Sequence, residues 1–265
     1  MSVRASSKYV FLSQTSFRSK MAYPLDVLVR TFFFAVVLLV FTQLWTALLG
    51  GESSVAGFGR SQLVWYLMVT EVIMLSNSRI DRRIEDDVKS GAVAYTLIRP
   101  LHFVWYQFSV YWGETLAALL FNSLIGCMVA FALVGPAPLT PVALPFLLTA
   151  VLLAFSLNFF TRMSLALLAF WVEDTSPFFW IYSKLLFTLG GMFVPLEVYP
   201  EWLRRISSAL PFNYILYRPA KLLVDFRPAE VFSVLGGQIA WTAVLMALCL
   251  AIYARGVQKI SVNGG

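Results

Sequence analysis

The chain has 265 residues, 59% of them hydrophobic and only 13% charged, and its mean hydropathy is +0.76. So little polar surface cannot cover a folded chain of this size in water, whereas a bilayer tolerates an apolar exterior. The formal net charge of +6 sits mainly in short segments between apolar runs, where basic side chains set orientation and meet anionic headgroups; the expected partner is membrane lipid, not nucleic acid.

At the start of the chain, Val3, Val10, Phe17 and Met21 recur at helical spacing, with Arg4, Lys8, Arg18 and Lys20 among the polar positions. The pattern predicts an amphipathic helix over residues 1–24 lying in the membrane interface, with a disordered tail as the alternative. About 20 mostly apolar residues cross a hydrocarbon core, and six runs approach that length. They are Leu28–Leu49, closed by Gly50 and Gly51; Ser61–Ser78, with Glu71; Phe103–Val134, with Glu114; Val142–Val172, with Arg162; Pro177–Val194, with Lys184 and stopped by Pro195; and Val231–Tyr253. The expected fold class is an all-α membrane protein of six transmembrane helices forming one domain over residues 1–265.

Six crossings put both termini on one side. The basic residues Arg79, Arg82, Arg83, Lys89, Arg99, Arg255 and Lys259 make that side cytoplasmic. Arg60, Arg204, Arg205, Arg218, Lys221 and Arg227 fall on the other side and run against the rule.

Two connections carry patterns of their own. In the segment 79–99, Ile80, Ile84 and Val88 are four apart and form one apolar stripe, while Arg82, Arg83, Glu85, Asp86 and Asp87 point elsewhere and Gly91 is a plausible stop. Such a ridge suits a groove on a soluble partner, or rests on lipid or on the chain's own bundle. In the segment 195–230, Pro195 and Pro200 bar a straight helix, and Glu201, Trp202, Ile206 and Leu210 describe a short amphipathic helix that Pro211 ends. That reads as a re-entrant or interfacial hairpin on the outer face.

Charge inside a span is costly unless paired or hydrated, so Glu71, Glu114, Arg162 and Lys184 are the intramembrane candidates. The two acids sit near mid-depth and the two bases toward the cytoplasmic third. Either the four neutralise one another, or Glu71 or Glu114 faces a polar path and attracts a cationic substrate. Other chemistry finds little foothold: there is no phosphate-binding G-x-x-x-x-G-K-[ST] loop, His102 is the single histidine, and Cys127 and Cys249 lie inside apolar runs. No catalytic residue, metal site or cofactor bound by this chain is expected.

Three stretches resemble a known family. SGAVAYTLIRPL (Ser90 to Leu101) resembles the connector before the third span of type-2 ABC-transporter permeases, the exporter class. LLFTLGGMFVPLEVYPEWLRRISSALPF (Leu185 to Phe212) is similar to that family's fifth span and Pro-rich outer hairpin, and LAFWVED (Leu168 to Asp174) to the close of its fourth span in a bacterial subgroup. The resemblance implies a non-catalytic permease subunit in a bacterial cytoplasmic membrane. ATP and Mg would be held by a separate nucleotide-binding ATPase subunit, and a second permease would complete a homodimer or related heterodimer. It places the coupling surface on Ile80, Arg83, Ile84, Asp87 and Val88. Two other readings compete: a membrane-embedded lipid-modifying enzyme, and a proton-driven carrier using Glu71 or Glu114.

Overall fold

The computed structural model describes residues 3–22, 24–49, 54–98 and 100–263. Gly50, Gly51 and Arg99 lie outside them, as do the side chains of Val3, Arg4 and Lys259. In chain order the helices are α1 (Val3–Met21), α2 (Pro24–Leu49), α3 (Arg60–Leu75), α4 (Ile80–Lys89), α5 (Val93–Leu97), α6 (Phe103–Val134), α7 (Ala143–Ala166), α8 (Ser176–Leu189), α9 (Glu201–Ala209), α10 (Phe212–Ile215), α11 (Tyr217–Val224) and α12 (Pro228–Asn263). A 3-10 turn, Leu167–Phe170, prolongs α7. Among the described residues there is no strand, only an isolated bridge between Val55 and Phe58.

Three segments are long and apolar enough to cross a membrane, Phe103–Val134, Ala143–Phe170 and Pro228–Gln258, and Phe32–Ala47 is a shorter apolar helix. The chain is therefore a multi-pass membrane protein. Two of the expected spans are short: α3 has 16 residues and α8 has 14. At 1.5 Å per residue they reach about 24 and 21 Å, less than a hydrocarbon core of about 30 Å.

Of the two, α3 is internal, whereas α8 buries only Tyr182 and Leu186. Every residue of α3 from Leu63 to Ile73 is buried, the mark of a helix enclosed on all sides, and α2, α6 and α11 surround it. The fifth span ends sooner than its prolines predict. Gly190 N–H returns to the Leu186 carbonyl at 3.0 Å and Met192 N–H to that of Phe187 at 3.3 Å, while Gly191 takes a φ of +67°. This left-handed glycine closes α8 four residues ahead of Pro195. The freed backbone is buried, so its carbonyls need donors. They come from α3: the Tyr66 hydroxyl donates to Gly191 and the Thr70 hydroxyl to Met192, the latter at 2.8 Å.

The hairpin 195–230 has an outer and an inner part. On α9 only Ser207 is buried, and Trp202 and Ile206 lie exposed. The inward-packed part comes after Pro211, not after Pro200: α11 turns back and buries Tyr217, Pro219, Ala220, Leu222, Leu223 and Val224 against α3 and α7. Neutral hydrogen bonds hold it there. Gln62 Nε2 donates to the Val224 carbonyl at 2.8 Å, and Gln238 Nε2 donates to the carbonyls of Tyr214 and Ala150, both at 2.9 Å. Three of the six basic residues that ran against the orientation rule are matched here. Lys221 meets Glu197 at 2.9 Å, Arg227 meets Asp225 at 3.1 Å, and Arg205 meets Glu201.

α1 does not lie alone in an interface; it packs lengthwise on the first half of α6. Its Tyr9 hydroxyl accepts the His102 N–H at 3.2 Å, and Ser13, Ser16 and Phe17 close over Gly113, where any side chain would strike the Ser13 carbonyl. Val10, Phe11 and Met21 face away, exposed.

Candidate functional site

The connector between α3 and α6 is where most of the chain's buried charge converges. α4 is a stable short helix because Asp81 lies in its first turn and Lys89 in its last, matching the helix dipole, and Lys89 bonds Glu85 one turn back at 2.5 Å.

The apolar stripe of α4 faces inward. Ile80 is 1% exposed and Ile84 fully buried, and Val88 packs against the same core, where α4 meets α7 and the 3-10 turn. Two of the residues expected to grip a partner, Ile80 and Ile84, are thus part of this chain's own interior. The reason is energetic: burying each isoleucine stabilises the fold by roughly 1.5–3 kcal/mol, and the bundle offers an apolar surface at once.

Polar bonds then fasten α4 to three other helices. Nη2 of Arg83 donates to both carboxylate oxygens of Glu114 on α6, at 2.7 and 2.9 Å, and the Ser78 hydroxyl donates to the same group. Arg162 on α7 donates to Asp81, with both side chains less than a fifth exposed. The Thr175 hydroxyl, at the start of α8, donates to Glu85 at 2.8 Å. Just before α4, Asn77 Oδ1 accepts from the Tyr111 hydroxyl at 2.7 Å and from Asn158 Nδ2 at 2.5 Å, while Asn158 Oδ1 accepts from the Tyr182 hydroxyl. α6, α7 and α8 are therefore all tied to one joint.

This arrangement revises the intramembrane charges. Glu114 and Arg162 do not pair with each other or with Lys184; each meets an opposite charge on α4. Lys184 instead holds its ammonium 5.6 Å from the centre of the Trp180 ring and 5.8 Å from that of Phe187. Glu71 is 6% exposed and has no hydrogen-bond or ion-pair partner among the described residues. Asp87 is partly buried, and desolvation lifts its carboxyl above the usual range, the Arg83 charge opposing and the Asp86 charge adding.

The outward face of the connector is the reverse of the expected one. Arg82, Asp86 and Lys89 project from α4, followed by Tyr95 at 72% and Ile98 at 80% exposure. Two large apolar side chains so exposed at the end of a connector are surface that the described residues leave uncovered. Sequence reasoning passed over them, and over the anchors Asp81, Glu85 and Thr175. The signal was present in part: Asp81 and Glu85 repeat at four residues beside the Ile80 and Ile84 stripe, which puts both next to the buried face. Of the hairpin candidates, Pro195 and Pro200 are extended residues before the short turn Leu196–Val198 and before α9, Pro211 opens α10, Glu201 pairs with Arg205, and Trp202 is 64% exposed.

The family model of the ABC-2 family transporter protein matches residues 15–264. The chain belongs to this family. None of the curated proteins matches it. As an ABC-2 family transporter protein it is a membrane subunit of a transporter, and its connector is tied to three helices.

Proposed function

We propose that this ABC-2 transporter protein is the permease half of an exporter, driven by ATP and Mg held on a separate nucleotide-binding subunit, and that it works as a dimer with a second permease. In this reading α2, α3, α6, α7, α8 and α12 make six crossings of a bacterial cytoplasmic membrane, with the connector and both termini cytoplasmic. The two-faced connector carries the reading. Its inner face is bonded to α6, α7 and α8 through Glu114, Arg162 and Thr175, so a displacement of α4 moves those helices together. Its outer face, with Tyr95, Ile98, Arg82, Asp86 and Lys89, is free to sit in a groove on the ATPase. That replaces the contact set expected from the family resemblance: Arg83 acts inward as an anchor, and Ile80, Ile84 and Val88 hold the lever to the bundle.

The test is copurification with any ATPase encoded beside it, followed by transport in proteoliposomes. Tyr95→Asp with Ile98→Asp is expected to release the ATPase while the permease stays folded. Retention of the ATPase by that variant sinks the proposed contact, and transport without ATP sinks the pump. One observation favours a second reading, a proton-driven carrier: Glu71 is buried without a partner among the described residues. Transport that survives collapse of the proton gradient removes it.

A further inference from the structure

A groove of about 410 Å³ lies between α7, α8 and α12. Leu165 of α7, Ile181 and Leu185 of α8, and Trp241 and Leu245 of α12 line it, and the turn from Leu210 to Phe212 completes the wall. Its two hydroxyls are already used: Thr161 donates to the Leu157 carbonyl at 2.9 Å, and Tyr182 donates to Asn158. The groove therefore offers an occupant no charged group and no free hydroxyl. Every lining residue is among the described ones.

An apolar groove of this kind stays dry, and left empty it forfeits dispersion contacts along its walls. Two of those walls, α7 and α12, belong to segments long and apolar enough to cross a membrane, so what fills the groove comes from the bilayer or from a protein within it. A partner helix is too thick. One helical turn, about 10–12 Å across and about 5.4 Å tall, takes up about 400–600 Å³, so the groove holds one turn at most. A hydrocarbon chain is narrower and enters end-on or lengthwise. The groove is also continuous with surface turned to lipid, since Ile181 on its own wall and Val244 and Leu248 on α12 are exposed.

We infer that the groove binds one acyl chain of a bilayer phospholipid, lodged between α8 and α12. The chain acts as a strut. α8 buries only Tyr182 and Leu186 against its own protein, and the Tyr182 ring lies 6.1 Å from that of Phe212 on α10. Contacts with the lipid therefore add to the hold on α8 and on the start of the inward-packed hairpin.

The probe is phosphatidylcholine carrying bromine on its acyl chains, which quenches tryptophan on contact. It is titrated into the full chain, stripped of lipid in detergent, and the Trp241 signal is the difference between the unaltered chain and Trp241→Phe. The expected result is saturable quenching of Trp241, with a melting temperature that rises over the same range of lipid. Leu185→Phe combined with Leu245→Phe fills the groove and is expected to raise the half-quenching concentration about tenfold or more, whereas Leu248→Phe, outside the lining, leaves it unchanged. If the double variant does not fold, either single change carries the test, with an expected rise of about threefold. Quenching that grows in proportion to lipid without saturating, or that the filled variants leave undiminished, reduces the contact to ordinary surrounding lipid and overturns the site. Trp241 left unquenched in a chain that runs as a dimer overturns the lipid assignment and gives the groove to a second copy.

Discussion

The two ends of the bundle use charge in opposite ways. At the connector end the ion pairs join separate elements, Arg83 to Glu114 and Arg162 to Asp81, across α4, α6 and α7. At the hairpin end they close within the hairpin itself, Lys221 to Glu197, Arg227 to Asp225 and Arg205 to Glu201, and the link to the bundle is made by neutral donors on Gln62, Tyr66, Thr70 and Gln238. The connector is thus bonded to several helices at once, whereas the hairpin closes its charges internally.

The contrast is broken most directly at Arg162. Replacing it with Met leaves Asp81 partly buried and unpaired, and the expected loss is about 3–5 kcal/mol, read as a fall in melting temperature of the detergent-purified chain. The matching hairpin change, Arg205→Ala, removes a pair whose side chains are both more than half exposed and costs at most about 1 kcal/mol. Equal losses at the two sites would erase the distinction.

A second probe is the buried turn after α8. Tyr66→Phe strands the Gly191 carbonyl and is expected to destabilise by about 1–3 kcal/mol, while Gly191→Ala forces a side chain into a left-handed backbone at a cost of about 1–2 kcal/mol. Chemical denaturation with helicity as the readout measures both. If Tyr66→Phe is silent, the Tyr66 hydroxyl does not hold the turn after α8.

Glu114→Gln keeps the shape of the carboxylate and removes its charge, so it tests transmission more than stability. With the ATPase bound, the expected outcome is ATP hydrolysis retained and transport reduced about tenfold or more, since about 1.5 kcal/mol of charge-assisted bonding to Arg83 is lost. Transport and hydrolysis falling in step would place Glu114 outside the transmission path.

The smallest effect is set by pH. Burial pushes the Glu197 carboxyl up, but the Tyr217 hydroxyl and Lys221 ammonium outweigh it and hold the group below its ordinary value of 4.5. A lowered carboxyl contributes stability that is present above the ordinary value and lost as pH falls through the lowered one. A fluorophore placed at Ser208→Cys on α9 should therefore report a loosened hairpin only below about pH 4.5, and Glu197→Gln should remove that transition.

Much of this architecture was legible in the chain itself. Apolar runs of the required length announced α6, α7 and α12, because a helix in lipid satisfies its own backbone and needs only apolar side chains outside. The spacing of Ile80, Ile84 and Val88 announced α4, and the prolines announced an irregular hairpin. Periodicity identifies an apolar face without saying what covers it. The sequence left open whether α4 turned its stripe to a partner or to the bundle, and the packing of α7 against it decided for the bundle.

The sequence by itself determined the medium, the helical class and the presence of a two-faced connector, since these follow from hydropathy and spacing along a single chain. Tertiary structure alone decided which charges meet. Arg162 and Asp81 are 81 residues apart, as are Asn158 and Asn77, and no local pattern ranks such pairs. It also decided that α8 stops at Gly191, because that break depends on hydroxyl donors from a helix more than 100 residues earlier. Contacts of that range are set by how helices stack, which is why the site had to be read from the fold.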